Sequence, residues 1–139
     1  MTTIIYYTAN AEKPEFEKKI VDNIKQLAGD IPIISVSQKP MDFGTNICLG
    51  DIGHNYYNCF NQALTAAKAA TTEYVTFAES DCLYSPDYFN FQPTGGLYYR
   101  YSDVWIAWPK HNGFRRKRNC EGMQIVNRGY MIERFEAWL

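Results

Sequence analysis

The stretch Tyr74-Val75-Thr76-Phe77-Ala78, which runs directly into Glu79-Ser80-Asp81, decides the fold. Its first five residues are β-branched, aromatic or small, which predicts a buried strand. In an open α/β sheet, ligands bind just beyond the carboxyl ends of the strands. Two carboxylates at such an end repel each other, and a divalent cation relieves that repulsion because hard cations prefer oxygen ligands. The stretch therefore predicts a metal site at a strand end.

Composition limits the classes of protein to which the chain can belong. The 139 residues predict one domain, and a hydrophobic content of 46% is enough for a packed core. The net charge of −1 gives no overall field for nucleic acid or an anionic membrane. Aromatic residues make up 16% of the chain, which suits stacking on bases or sugars as well as ordinary core packing.

The cysteines and the N-terminus predict a cytoplasmic protein. Cys48, Cys59, Cys82 and Cys120 have no C-x-x-C spacing, so the sequence does not predict a tetrahedral zinc site, and free thiols fit a reducing compartment. No signal peptide is evident, and no segment approaches the roughly 18 apolar residues of a membrane span.

Strands and helices alternate in the first half of the chain. Strands are predicted at residues 3–7, 33–37 and 74–78, a first helix from Pro14 to a stop at Gly29, and a second at residues 55–70. A strand-helix-strand order implies parallel pairing through a right-handed crossover. The fold class is therefore α/β.

The remaining segments follow a different pattern. Residues 39–53 are predicted to form a long loop, and residues 85–91 a turn or short helix. Segments 97–101 and 104–108 are expected to be two strands that pair with each other, and 111–119 a basic loop. A strand at 123–126 and an amphipathic helix at 128–139 complete the chain.

The region from Asn58 through Phe89 resembles the centre of a GT-A glycosyltransferase, and the run Ala78-Glu79-Ser80-Asp81-Cys82-Leu83-Tyr84-Ser85-Pro86 carries the resemblance. That family places an acidic D-x-D-like motif at a strand end, whereas here a glutamate replaces the first aspartate and the middle residue is a neutral serine. The resemblance implies a minimal GT-A, Rossmann-like three-layer sandwich with a mostly parallel central sheet. Residues 1–90 would form the nucleotide- and metal-binding half and residues 91–139 the acceptor side.

The resemblance also implies a function, the metal-dependent transfer of a sugar from a nucleotide-diphosphate donor, expected to be a UDP-sugar, to a hydroxyl acceptor. Asp81, helped by Glu79, would hold Mn²⁺ or Mg²⁺, which neutralises the charge of the departing diphosphate. Ser80 lies between them and is assigned to the donor site. His111 is a candidate late metal ligand. The acceptor is not specified by the resemblance and would be a hydroxyl of a glycan, a protein or a modified base.

Polar residues after the first two strands are expected to hold the nucleoside. In the resembling fold the loop Thr8, Ala9 and Asn10 does so, and Ser37 and Gln38 leave the next strand at the same sheet edge. A hydroxyl, amides and free backbone groups can read a base edge or ribose. The alternative for the loop is a simple turn with a helix cap.

Two amides on the second helix are candidates for the ribose or diphosphate. Asn58 and Gln62 are four residues apart and so share one helix face. The preceding loop, residues 50–53, contains two glycines that allow close approach of backbone to ligand. A solvated helix flank is the alternative.

The second half supplies the predicted general base and acceptor contacts. Glu121 and Asp103 are the candidate carboxylates that would deprotonate an acceptor hydroxyl, and Glu121 is preferred. Trp105 and Trp108 can stack on sugar rings or pack in a core. The basic run at residues 115–118 could neutralise a diphosphate, bind an anionic acceptor or form a solvated loop.

Two other functions fit parts of the pattern. A nucleotidyltransferase also uses acidic residues and a divalent metal, but residues 8–13 lack the glycine- and basic-rich phosphate loop it needs. A GT-A-like shell that binds a nucleotide without catalysis fits the short chain and the altered acidic motif.

Overall fold

The computed structural model describes the whole chain, from Met1 to Leu139. Four helices and eight strands follow one another along it. In chain order they are β1 (Thr2–Thr8), α1 (Pro14–Ala28), β2 (Ile33–Ser37), β3 (Thr45–Cys48), α2 (Tyr56–Ala69), β4 (Tyr74–Glu79), α3 (Pro86–Asn90), β5 (Tyr98–Arg100), β6 (Val104–Trp108), β7 (Gly113–Lys117), β8 (Gln124–Asn127) and α4 (Arg128–Trp138).

Six strands form one mostly parallel sheet in the order β3-β2-β1-β4-β8-β5. The pairs formed among β1, β2, β3 and β4 are all parallel, whereas β8 pairs antiparallel with both β4 and β5. The carboxyl ends of four strands therefore meet at one edge. The predicted α/β class with a mostly parallel central sheet is confirmed.

Helices cover both faces of this sheet, so β1 and β4 are buried on both sides. Alternate residues of β1 enter different cores: Ile4 packs with α1 and α3, and Ile5 packs with α2 and α4. The predicted three-layer sandwich is therefore present. Since β8 joins the sheet built by the first 90 residues and α4 packs on it, the two halves of the chain share one core. Their division into donor and acceptor sides stays a prediction.

The helix boundaries follow local chemistry. Pro14 stands in the first turn of α1, where its missing N–H costs nothing, and Gly29 ends the helix with a φ of +53°. Asn55 caps α2 by accepting a hydrogen bond from the Asn58 N–H with its side chain. No helix is both long and apolar enough to cross a bilayer, and all four cysteines are free.

The prediction of a continuous loop at residues 39–53 was wrong, because β3 lies within it. Asn46 anchors this edge strand, since its Nδ2 donates to the hydroxyls of Ser35 and Ser37, at 2.9 Å each. The strand is short and only partly buried, so it lacks the apolar alternation by which strands are recognised in sequence.

The pairing predicted for segments 97–101 and 104–108 was also wrong. The first segment, β5, pairs with β8 in the main sheet, and the second, β6, forms a separate antiparallel hairpin with β7. The predicted basic loop at 111–119 is therefore largely a strand. Its basic residues are exposed because a two-stranded hairpin leaves both faces open. Such a strand does not alternate between apolar and polar residues, so its sequence does not show the pattern that predicts a strand.

Candidate functional site

A cleft of about 430 Å³ opens beyond the carboxyl ends of β1 and β4, with the start of α2 as its third side. Parallel strands place their following loops at this edge, which is where α/β sheets bind ligands. Its lining comes from three chain segments and Glu12. The segments contribute Tyr7, Thr8 and Ala9; Gly53, His54, Asn55, Tyr56, Cys59 and Gln62; and Glu79, Ser80 and Asp81.

All three residues of the acidic tip at 79–81 line this cleft. Asp81 is exposed, and its one side-chain hydrogen bond is accepted by Oδ1 from the Cys82 thiol at 3.4 Å. Asp81 is therefore not held in internal contacts, and its carboxylate is free to bind a cation.

Glu79 is held much more tightly than Asp81. The Tyr7 hydroxyl donates to Glu79 Oε1 at 2.7 Å, and a side chain at Gly122 would place its Cβ only 2.1 Å from Oε2. Burial raises the Glu79 pKa to about 7, with a smaller contribution from the like charge of Asp81, while the Tyr7 hydrogen bond partly opposes the rise. Near neutral pH, Glu79 therefore carries a proton part of the time.

A buried tyrosine fixes the backbone of the acidic tip. The Tyr84 hydroxyl accepts from the Glu79 N–H at 2.8 Å and donates to the Gly122 carbonyl at 3.0 Å. Sequence reasoning missed the roles of Tyr7 and Tyr84, because both read as ordinary core aromatics. The role of Tyr7 becomes visible only from the pairing of β1 with β4, which sets Tyr7 opposite Glu79.

The residues at the end of β1 and in the loop after it lie in two different environments. Thr8 and Ala9 line the cleft, whereas Asn10 has a φ of +51° and its Oδ1 accepts from the N–H groups of Gln38 and Lys39, at 3.0 and 2.8 Å. Asn10 thus ties together the loops that follow β1 and β2. A role for it in nucleoside binding stays a prediction.

Ser37 is the last residue of β2 and Gln38 follows it at the same sheet edge, but neither lines the cleft. Ser37 is buried and donates to the Lys39 carbonyl at 2.6 Å. Gln38 donates to the Gly53 carbonyl at 2.8 Å and accepts from the Ile52 N–H at 3.2 Å, so it holds the loop before α2 in place. Their contacts with a nucleoside stay predictions.

The two amides of α2 also bond to backbone. Asn58 Nδ2 donates to the carbonyls of Ile52 and Gly53. Gln62 is buried and lines the cleft, and its Nε2 donates to the carbonyls of Thr8 and Val36 at 2.8 and 3.3 Å. Gln62 therefore couples α2 to the ends of two strands, which positions the floor of the cleft.

Replacing Gln62 with leucine is expected to lower the free energy of unfolding by about 2 kcal/mol, because two buried carbonyls lose a donor. Urea unfolding at neutral pH measures the change. Gln26→Leu, at an exposed position of α1, is the control and should stay close to the original stability. A Q62L variant as stable as the unaltered chain would show that these hydrogen bonds contribute nothing to the fold.

The remaining predicted residues lie in the second half of the chain. His111 is near the turn of the β6–β7 hairpin, packed edge-on against Trp108 with ring centroids 4.5 Å apart, and does not line the cleft. Glu121 is exposed, and its nearest cation is the Lys117 Nζ at 4.0 Å. The roles of His111 as a metal ligand and Glu121 as a base stay predictions.

A second groove of about 800 Å³ adjoins the first and shares Glu79 and Asp81 with it. The hairpin strand β6 forms one wall through Trp105, and Asp103 lies beside it, 3.4 Å from the Arg116 Nε. Most of its lining is apolar. Asp103 therefore shares a groove with the acidic tip, and its role as a base also stays a prediction.

Two cysteines at this groove form a pair that sequence spacing did not indicate. Cys82 and Cys120 are half-buried, and their sulfurs lie close to Glu79, with the three ligand atoms within 4.8 Å of one another. The neighbouring Cys82 thiol lowers the Cys120 pKa, whereas the same contact and burial raise the Cys82 pKa. The pair is 38 residues apart in the chain, so only the fold brings it together.

Comparisons with known proteins show a similarity of fold. No protein-family model and no curated protein matches this sequence. The bifunctional IspDF from Campylobacter jejuni aligns with a TM-score of 0.62 at 10% identity, over 97% of this chain and 43% of that one. The mannosyltransferase PcManGT from Pyrobaculum calidifontis, in complex with GDP-Man and Mn²⁺, aligns with a TM-score of 0.43 at 20% identity, over 63% of this chain and 29% of that one.

The chain thus spans less than half the length of the IspDF chain. At such low identity the similarity to IspDF establishes the fold and nothing finer. Together with the strand order, it shows that this chain has a Rossmann-like α/β fold with a mostly parallel six-stranded sheet.

Proposed function

We propose that this protein is a nucleotide-dependent transferase, and that it moves a sugar from a nucleotide-diphosphate donor to a hydroxyl acceptor with the help of a divalent metal. The expected donor is a UDP-sugar. The shared fold with IspDF is compatible with a nucleotide-utilising transferase but gives no information on the group transferred.

The charge of the cleft is the observation that carries the proposal. Its ionisable lining includes three carboxylates, those of Glu12, Glu79 and Asp81, and neither lysine nor arginine. A diphosphate entering this cleft would meet only like charge. A divalent cation between carboxylate and phosphate removes that repulsion, so we expect diphosphate binding here to depend on a metal.

The available oxygen donors fit a hard cation. Asp81 is exposed at the cleft, and the Ser80 side chain and Glu79 lie beside it. Carboxylates and hydroxyls are the ligands that Mn²⁺ and Mg²⁺ prefer. Asp81 would hold the metal, with Glu79 acting through water or on a sugar hydroxyl. The metal would neutralise the diphosphate leaving group.

The rest of the cleft offers a nucleoside site. Thr8 and Ala9 provide a hydroxyl and backbone groups on one side, and Tyr56, 83% exposed at the start of α2, offers an aromatic face on the other. Base stacking on a tyrosine tolerates any base, whereas the polar groups of the loop can select among bases. The acceptor would enter the adjoining groove, where Asp103 is the candidate base that lines the wall and Trp105 can pack on a sugar ring. Glu121, the preferred base, lies close enough to Glu79 to contribute to the rise of its pKa.

Calorimetric titration with UDP, with and without Mn²⁺, tests the proposal. We expect binding that depends on Mn²⁺ and that weakens at least tenfold in Asp81→Asn, which loses the charge that holds the cation. Asp30→Asn, an exposed position between α1 and β2, is the control and should bind as the unaltered protein does.

Product analysis then separates the possible activities. Hydrolysis of a UDP-sugar in the presence of Mn²⁺ supports the transferase. Metal-dependent binding without hydrolysis supports a nucleotide-binding module, and pyrophosphate release from UTP supports a nucleotidyltransferase. UDP affinity that is the same in Asp81→Asn and the unaltered protein would exclude the metal site on which all three depend.

A further inference from the structure

We propose that Cys82, Cys120 and Glu79 form a second metal site, which binds a soft or borderline divalent cation of the zinc class. It shares Glu79 with the hard-cation site proposed at the cleft but differs from it in chemistry, because its donors are two sulfurs and one carboxylate oxygen. Thiolate ligands favour zinc over manganese or magnesium.

The spacing of the three donors is close to what a tetrahedral ion requires. Zinc bonds of ~2.3 Å to sulfur and ~2.0 Å to oxygen place sulfur and oxygen ligands ~3.5 Å apart, and two sulfurs ~3.8 Å apart. The Cys82 sulfur lies 3.9 Å from Glu79 Oε2, and all three ligand atoms are within 4.8 Å of one another. Small side-chain rotations would complete the geometry.

The surroundings of Glu79 direct one of its oxygens to the thiols. The Tyr7 hydroxyl donates to Oε1, which leaves Oε2 facing Cys82. Gly122 provides the space for this carboxylate, since any Cβ there would overlap Oε2. Hydrogen bonds of this kind orient ligands in metal sites and affect metal affinity strongly.

The site is accessible and can supply further ligands. Cys82, Cys120 and Glu79 all line the larger groove, so an ion can reach them from solvent. A water molecule can fill the fourth position, since the three donors face the open groove. The donor set, its preformed spacing and its access together support a three-residue zinc-class site with one exchangeable position.

Cobalt(II) provides the test, because thiolate ligation to Co²⁺ produces a charge-transfer band that oxygen ligands do not. Full-length protein, kept reduced with a phosphine, is titrated with Co²⁺ alone in the absence of oxygen. We expect the band to saturate at one Co²⁺ per chain and to disappear when Zn²⁺ is added. No band at saturation would overturn the proposal.

Single substitutions identify the ligands. Cys82→Ser and Cys120→Ser should each weaken Co²⁺ binding at least tenfold and reduce the band. Cys48→Ser, which removes an exposed thiol on β3, should leave both unchanged. A band that persists in the Cys82→Ser/Cys120→Ser double variant would also contradict the assignment.

A measurement on the unaltered chain avoids any effect of substitution on folding. Alkylation of the thiols, mapped by mass spectrometry, should be slowed at least tenfold by Zn²⁺ at Cys82 and Cys120 but not at Cys48. Equal rates with and without Zn²⁺ would count against the site. None of these experiments contains a nucleotide, so their failure would not contradict the proposed transferase function. Failure of the UDP titration would likewise not contradict the site formed by Cys82, Cys120 and Glu79.

Discussion

Replacing Gly44 with alanine is expected to lower the free energy of unfolding by roughly 3 kcal/mol, one of the two largest effects we anticipate. Gly44 has a φ of +60°, where L side chains cost about 1–2 kcal/mol. An added Cβ would also lie 2.4 Å from the carbonyl oxygen of Ile33, a backbone atom that cannot rotate away. Relief requires β3 to shift from β2.

The matched control is Gly50→Ala, which separates conformation from contact. Gly50 has a φ of +73°, but nothing lies within 4 Å of its added Cβ. We expect a loss of about 1–2 kcal/mol from the backbone conformation alone. Chemical denaturation of both variants measures the difference. Equal destabilisation at the two positions would mean that the packing of Gly44 against β2 is not as described.

The second large effect concerns Glu79 and pH. The pKa of this carboxyl is about 7 in the folded protein and about 4.5 in the unfolded chain. Between these values the folded state holds a proton that the unfolded state has released, so stability falls as pH rises from 4.5 to 7. At 1.36 kcal/mol per pKa unit, the loss is about 3 kcal/mol.

Glu79→Gln should remove this dependence, because the amide is neutral at every pH and its oxygen can still accept from the Tyr7 hydroxyl. The difference in unfolding free energy between E79Q and the unaltered chain should therefore shift by about 3 kcal/mol in favour of the variant between pH 4 and pH 8. Urea unfolding at both pH values, with a chelator present, measures this shift. Glu12→Gln, which removes an exposed carboxylate of the same cleft, is the control. A stability difference between E79Q and the unaltered chain that stays constant over this range would contradict a buried, protonated Glu79.

The acidic tip at residues 79–81 shows which features of the site a local sequence pattern can predict. Buried β-branched and aromatic residues before residues 79–81 predict a strand that ends in carboxylates, and the structure places all three residues in an open cleft. The different environments of Asp81 and Glu79 were not predictable, since they depend on Tyr7 and Gly122, which come from distant parts of the chain. Tyr84 is near in sequence, but its hydroxyl joins the Glu79 backbone to that of Gly122 only in the folded chain.

Polar residues at the sheet edge were harder to interpret from sequence. Thr8 and Gln62 line the cleft, whereas Gln38 and Asn10 bond to neighbouring loops. Contact of any of the four with a ligand stays a prediction. An amide that binds a ligand and an amide that anchors a loop have the same composition and the same position after a strand. Only the distances to backbone donors and acceptors distinguish them.

By itself, the sequence determined the central part of the fold, because apolar strands and amphipathic helices follow from periods of 2 and 3.6 residues that any local window contains. It also determined which strand end carries the carboxylates. The tertiary structure alone decided the partners of β5 to β8, the protonation of Glu79 and the meeting of Cys82 with Cys120. These depend on contacts between residues far apart in the chain, which no local pattern records.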